Sequence, residues 1–333
     1  MAHRARMSVV VVVTLVACVS LWVAPAATQT AVPRTSWGDP GLQGNWDFST
    51  ITPLERPEKF ADQEFLAEQE AATLEQEAVD RDIQLLNAPR RRTEAGGNVG
   101  AYNNFWMDRG HTTVASRRTS QIVDPPNGRL PTLTNSAQDR IDARRNHIEE
   151  NPAASWLDLS VSDRCLMGFN AGPPISPGFY NQNLQIFQTP NHVALLTEMV
   201  HTVRLVPLDG QAPLDATIRQ WSGDSRGHWE GDTLVVTTSN FNGRSAWDRC
   251  PVFRSLSPTE NLTLVERVTR VDAETLEYAY TVTDPLTWTR PWSASLTFRR
   301  TDSPLYEYAC HEGNHAIANI LAGARAGEKA EKK

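Results

Sequence analysis

Leu262-Thr263-Leu264-Val265-Glu266-Arg267-Val268-Thr269-Arg270-Val271 is followed by Asp272-Ala273-Glu274-Thr275 and then by Leu276-Glu277-Tyr278-Ala279-Tyr280-Thr281-Val282. Two β-prone runs flank a polar turn, which is the signature of an antiparallel pair. Leu276, Tyr278, Tyr280 and Val282 share one face, and Glu277, Ala279, Thr281 and Thr283 the other, so one face packs and one is wet. Upstream, Arg226-Gly227-His228-Trp229-Glu230 and Thr233-Leu234-Val235-Val236-Thr237-Thr238 enclose Gly231-Asp232. A glycine there supplies the positive φ of a tight hairpin turn. Downstream, Trp292-Ser293-Ala294-Ser295-Leu296-Thr297-Phe298-Arg299 is again mostly apolar at every second position.

Leu184–Gln188, His192–Glu198 and Thr202–Leu208 read as further strands. About seven strands with short turns favour a mainly β, antiparallel meander, either a barrel or a curled sandwich of calycin or lipocalin type, since closure removes exposed edges. Gly44-Asn45-Trp46 matches the G-x-W of a first lipocalin strand; a plain strand-start tryptophan packed on the core is the competing reading.

The 333 residues carry a formal charge of −7, which gives no electrostatic footprint for nucleic acid. Residues 1–26 read as a signal peptide, with Arg4 and Arg6 before the apolar run Ser8–Val23 and small residues at Ala24-Pro25-Ala26. Leu15-Val16-Ala17-Cys18 also resembles a lipobox, so a membrane is a partner only if Cys18 is lipidated. The expected location is periplasmic or secreted. Export leaves Cys165, Cys250 and Cys310, and an oxidising compartment permits a disulfide with one thiol left over. Cys165–Cys310 is the expected pair; three buried free thiols are the alternative.

The mature chain divides into an N-terminal extended and helical region (27–95), a β core (96–325) and a disordered charged tail (326–333). Phe60–Asn87 reads as an amphipathic helix on Ala61, Phe65, Ala72, Val79, Ile83 and Leu86. Arg90-Arg91-Arg92 and a break at Gly96-Gly97 follow. Tyr102–Trp106 and Arg117–Val123 read as short β segments, and Asp124-Pro125-Pro126-Asn127-Gly128 as a turn. Ser136–Asn151 reads as a helix capped by Ser136 or Asn135, and Ala316–Ala324 as another.

Three stretches carry a resemblance: Arg118–Arg129, Ile218–Asp232 and Tyr306–Asn314, the last reading Tyr-Glu-Tyr-Ala-Cys-His-Glu-Gly-Asn. Together they resemble a widespread family of exported, uncharacterised bacterial proteins, and the similarity spans most of the mature chain. It implies export and one shared architecture, and brings no activity, substrate or catalytic residue. Relatives tend to carry an aromatic residue where this chain has His315, which implies that His315 is replaceable.

Four groups bear chemistry. Glu266 shares a strand face with Leu262, Leu264 and Val268. Turned inward, it either has a raised pKa suited to acid–base work or is neutralised by an arginine such as Arg290 or Arg226. Asp284, Trp288 and Arg290 in one segment, with Asp224, Arg226 and Trp229 in another, both at strand ends or loops, are the types that line a binding pocket. The alternative is a stacking cluster that closes a barrel end. His311-Glu312-Gly313-Asn314-His315 matches H-E-x-x-H, which on a helix places two imidazoles for zinc beside a general base. Against zinc, Gly313 and Asn314 are poor helix-interior residues. The competing reading has His311 and Glu312 hydrogen-bonded to the sheet. His201 reads as structural at the start of a strand. Phosphate loops, G-x-S-x-G elbows and CxxC pairs are absent, which argues against phosphoryl transfer and serine-hydrolase chemistry.

The reading is an exported β protein that binds a small apolar or aromatic molecule through Trp229, Asp224, Arg226, Trp288 and Arg290. Glu266, Asp284, His311 and Glu312 are the candidates for acid–base chemistry on it, and no cofactor is expected. The alternatives are a zinc hydrolase on His311 and His315, and a noncatalytic envelope protein.

Overall fold

The computed structural model describes residues 32–88, 104–151, 153–244 and 259–331. The signal segment, Cys18, Arg90–Arg92, Gly96-Gly97, Tyr102, Cys250, Lys332 and Lys333 lie outside the described residues. Ten strands form one antiparallel sheet: β1 Gly44–Asp47, β2 Ile122–Asp124, β3 Asn183–Gln188, β4 His192–Thr197, β5 Val203–Pro207, β6 Asp224–Glu230, β7 Thr233–Ser239, β8 Thr263–Arg270, β9 Thr275–Thr283 and β10 Trp292–Thr301. The strand order is β5-β4-β3-β1-β10-β9-β8-β7-β6, and β2 also pairs with β10. β10 is the hinge of this order. Its C-terminal half pairs with β1 (Trp46 opposite Arg300) and its N-terminal half with β2 (Ser293 opposite Asp124).

The alternation read from the sequence sets the register. Leu276, Tyr278, Tyr280 and Val282 are buried together with Trp292, Ala294, Leu296 and Phe298 opposite them. Gly231 takes φ +59 in the two-residue turn between β6 and β7. Trp46 is fully buried with Arg270 over its ring at 5.2 Å. A ladder of rings crosses the core: Phe48 to Phe298 at 5.6 Å, Phe298 to Tyr278 at 4.9 Å, Tyr278 to Tyr280 at 5.6 Å and Tyr280 to Trp292 at 5.8 Å. Such pairs add about 0.5–1.5 kcal/mol each beyond burial.

The sheet is curled but not closed by hydrogen bonds. Its two edge strands, β5 and β6, meet through side chains. A Cβ at Gly227 on β6 would lie 2.7 Å from Val206 Cγ1 and 2.8 Å from Leu208 Cδ2. The bare backbone of Gly227 is therefore what lets Val206, on β5, and Leu208, just beyond it, pack onto β6.

The helices are α1 Glu68–Asn87, α2 Asn135–Glu150 and α3 Ala316–Glu331. α1 starts later than its apolar spacing implies. Residues 64–66 are extended because Leu66 N–H donates to Arg117 C=O and Thr119 N–H to Glu64 C=O. The helix begins where the Glu70 carboxylate accepts from Ala67 N–H at 2.8 Å. Its buried residues are Ala71 and Ala78, while Ile83 and Leu86 face outward, so the packed face is offset from the one predicted. Thr134, not Ser136 or Asn135, caps α2, accepting from Ala137 N–H at 3.1 Å. Asn104–Trp106 is a single 3-10 turn and not a strand. Of Arg117–Val123, only Ile122 and Val123 enter a strand, β2. α3 runs through the predicted tail as far as Glu331. Among the described residues no helix is long and apolar enough to cross a membrane.

Cys165 and Cys310 form the expected disulfide, with Cα atoms 5.7 Å apart. It joins the loop before β3 to the segment that follows β10.

Candidate functional site

The residues singled out in the sequence do not converge. Glu266 faces inward and is 1% exposed. Its partner is neither Arg290 nor Arg226 but Arg204 on β5, whose guanidinium holds both carboxylate oxygens; the Nη2–Oε1 distance is 2.7 Å. Tyr278 O–H donates to the same Oε1 at 2.6 Å and accepts from Ile175 N–H at 3.0 Å. Burial opposes charge on Arg204, but the Glu266 carboxylate and its hydrogen bond hold the guanidinium pKa above its usual value. Burial, and then the Glu266 charge, push the Tyr278 phenol well above its usual range. Arg204, Glu266 and Tyr278 form a neutralised structural triad, and no cavity described below includes Glu266.

Asp284 caps the turn after β9, accepting from Thr259 N–H and Oγ1–H and from Thr287 Oγ1–H, and is 2% exposed. Trp288 is buried edge-on against Trp292. Arg290 pairs with Asp124 on the surface at 2.8 Å. Asp224 accepts from Leu214 N–H and pairs with Arg226 at 3.2 Å. Trp229 stands at the opposite end of β6 from Asp224. The strand order places Asp224 and Asp284 three strands apart, which is about 14 Å at the usual strand spacing. Turn-capping and ion pairing engage Asp224, Asp284 and Arg290, while Arg226 Nε and Trp229 Nε1 are buried without a hydrogen-bond partner among the described residues.

His311, Glu312 and His315 are exposed and precede α3. Gly313, at φ +68, turns the chain between the two histidines, so the H-E-x-x-H letters lack the helix that would put both imidazoles on one face. The segment is not paired with the sheet either; Asn314 Nδ2 instead donates to Asp163 C=O at 3.2 Å. His201 lies in a short 3-10 turn before β5, not at a strand start, with Nδ1 3.2 Å from Tyr308 C=O.

What the fold does build is a cleft of about 920 Å³ beside β3. Phe105, Trp106, Tyr180, Tyr306 and Tyr308 supply aromatic walls, and the Cys165–Cys310 bond fixes one rim. Its carboxylates are Asp108, Asp163, Glu198, Glu307 and Glu312. Of the predicted site residues, Glu312 alone lines it. Glu198, 4% exposed, accepts from Asn183 Nδ2–H at 2.8 Å and Tyr306 N–H at 3.2 Å. Asp47, paired across the strands with Asn183, has its carboxyl pKa raised by burial and, further, by the Asp108 charge. A smaller cavity of about 310 Å³ continues past Ser162, Asp163, Tyr180 and Tyr308 to Met199 and Val200.

The backbone around this cleft is unusually contorted. Of seven described non-glycine residues with positive φ, Asn181 at 51° lines it, Val200 at 57° lines the smaller cavity, Cys165 at 55° is bonded to Cys310 on its rim and His201 at 38° lies 3.2 Å from Tyr308 C=O. A β-branched residue in that region is a genuine outlier. Such strain costs about 1–3 kcal/mol per residue and gathers at functional sites.

The wall residues Tyr306, Glu307, Tyr308, Cys310, Glu312 and Asn314 come from one of the three stretches that carry the family resemblance. Asp108, Glu198 and Tyr180 had no motif around them; the pairing of β3 with β4 and the bonds from Asp108 N–H to Phe179 C=O and from Gln182 Nε2–H to Asp108 C=O bring them together. Compared with models of known protein families and with curated proteins, the sequence matches none.

Proposed function

We propose that this is an exported protein, periplasmic or secreted and of the bacterial family its motifs resemble, that binds a small organic molecule in the cleft between Trp106 and Tyr306. The single observation that carries this reading is the cleft itself. Aromatic walls for contact and a few placed polar groups for orientation share a volume within the roughly 300–1,000 Å³ of ligand sites. The strained backbone at Asn181, Val200 and His201 supports it. So does the leader-like run Ser8–Val23, together with a disulfide, for location.

A thermal-shift screen of small aromatic and aliphatic molecules tests the reading. The expected result is a concentration-dependent rise in Tm for at least one class, lost in Trp106→Ala and Tyr306→Ala while the unliganded Tm stays within about 2 °C of wild type, since both side chains are largely exposed. No shift across the panel, or shifts indifferent to both substitutions, rejects it.

A further inference from the structure

We infer that the ligand of this cleft is a small organic cation, an ammonium of the quaternary or tertiary type; this rests on the cleft being a binding site. The lining contains five carboxylates and no lysine, arginine or histidine. None of these five carboxylates forms an ion pair among the described residues.

Two other buried or half-buried acids are matched by a guanidinium. Glu266 has Arg204, and Asp224 has Arg226. Glu198, like the turn-capping Asp284, has no cationic partner among the described residues, but unlike Asp284 it lines a cleft. It is as buried as these, yet its oxygens meet only the neutral donors Asn183 Nδ2–H and Tyr306 N–H. A buried carboxylate is costly unless paired with opposite charge, so a cation entering the cleft supplies what the protein itself withholds.

The aromatic walls decide the kind of cation. A bare metal ion needs several oxygen, nitrogen or sulfur ligands within a few ångströms, and among the described residues no three His, Cys, Asp or Glu are grouped closely enough to hold one. The volume of about 920 Å³ is also far larger than an ion requires. Trp106, Tyr306 and Tyr308 stand in the lining instead, and rings of these types carry on their faces the negative quadrupole that attracts alkylated ammonium groups, tryptophan most strongly. Carboxylates and aromatic rings sharing one lining suit a charge that is diffuse, poorly hydrated and carried on carbon.

Isothermal titration with choline and its uncharged isostere 3,3-dimethylbutan-1-ol tests the inference on the full mature chain. Choline is expected to bind at least tenfold more tightly than the alcohol, and more weakly as salt rises, because screening shortens the reach of the carboxylates. Glu198→Gln keeps an acceptor for Tyr306 N–H and is expected to weaken choline at least fivefold without moving the alcohol. Asp108→Asn is the second variant, should Glu198→Gln disturb the fold. Equal binding of the two probes, or binding of choline unchanged in both variants, overturns the cation while leaving the cleft as a ligand site. So does binding of neither probe when another neutral compound binds in a Trp106-dependent way. Displacement of choline by an equal concentration of calcium overturns the organic class. Binding of nothing overturns both readings.

Discussion

Arg204 on β5 and Glu266 on β8 are six places apart in the strand order, yet they form a two-pronged ion pair across the interior. The pair is a strut where the backbone of the curled sheet leaves a gap. Removing one member strands a buried charge, which costs about 3–5 kcal/mol, whereas replacing both by apolar residues of similar volume is often neutral or better. Glu266→Leu and Arg204→Met are each expected to lower the urea midpoint strongly, and the double variant much less. Equal losses in all three would mean that the strut carries no specific coupling.

Gly227 makes the matching prediction for the seam between β5 and β6. Gly227→Ala drives a methyl into Val206 and Leu208, and overpacking of this kind costs about 1–3 kcal/mol. Val206→Ala removes the nearer obstacle, so the two substitutions are expected to be less than additive in a double-mutant cycle of thermal unfolding. Simple additivity would show that the edges do not touch.

Asp47 gives a pH signature. Burial and, further, the Asp108 charge hold its folded pKa above the ordinary 3.8, so between these two values the native state keeps a proton that the unfolded state releases. Its contribution to stability is therefore full below about 3.8 and is lost as pH rises through the raised folded value. Asp47→Asn is expected to flatten that part of the stability–pH curve, measured by urea unfolding at closely spaced pH values. An unchanged slope would show that Asp47 titrates as an ordinary surface acid.

The disulfide spans 145 residues. A bond closing a loop of that length stabilises by roughly 2–5 kcal/mol, so Cys165→Ser with Cys310→Ser is expected to lower Tm markedly. Tyr306–Asn314 is held beside the cleft through Cys310, so ligand affinity is expected to fall at least tenfold even where the sheet survives by circular dichroism. Retained affinity in the reduced or serine form would show that the wall stands without its tether.

The strands were legible because period-2 alternation maps directly onto burial, as Leu276, Tyr278, Tyr280 and Val282 show. So was the face that Glu266 shares with Leu262, Leu264 and Val268, which the structure turns inward. Its partner was not, because Arg204 and Glu266 are 62 residues apart and only the curl of the sheet brings them together. The start of α1 was misread because helical spacing continues back to Ala61, while the hydrogen bonds that keep 64–66 extended come from Arg117 and Thr119. The polar residues around Asp224 and Asp284 looked like a pocket because their types are right. Their lone pairs are instead spent on nearby backbone and hydroxyl groups, as Thr259 and Thr287 are for Asp284. The cleft escaped notice because Asp108, Asp163 and Glu198 stand singly in the sequence, far from the motif that carries Glu307 and Glu312, and the pairing of β3 with β4 is what sets Glu198 beside Asn183.

One wall of the cleft comes from chain that is made after every strand of the sheet, and it is fastened by a bond that needs oxidation. The sheet's strands are therefore complete in the chain before the segment that the bond fastens. On the proposed reading, a newly made and still reduced molecule would hold its sheet before its binding wall, and oxidation would complete the cleft.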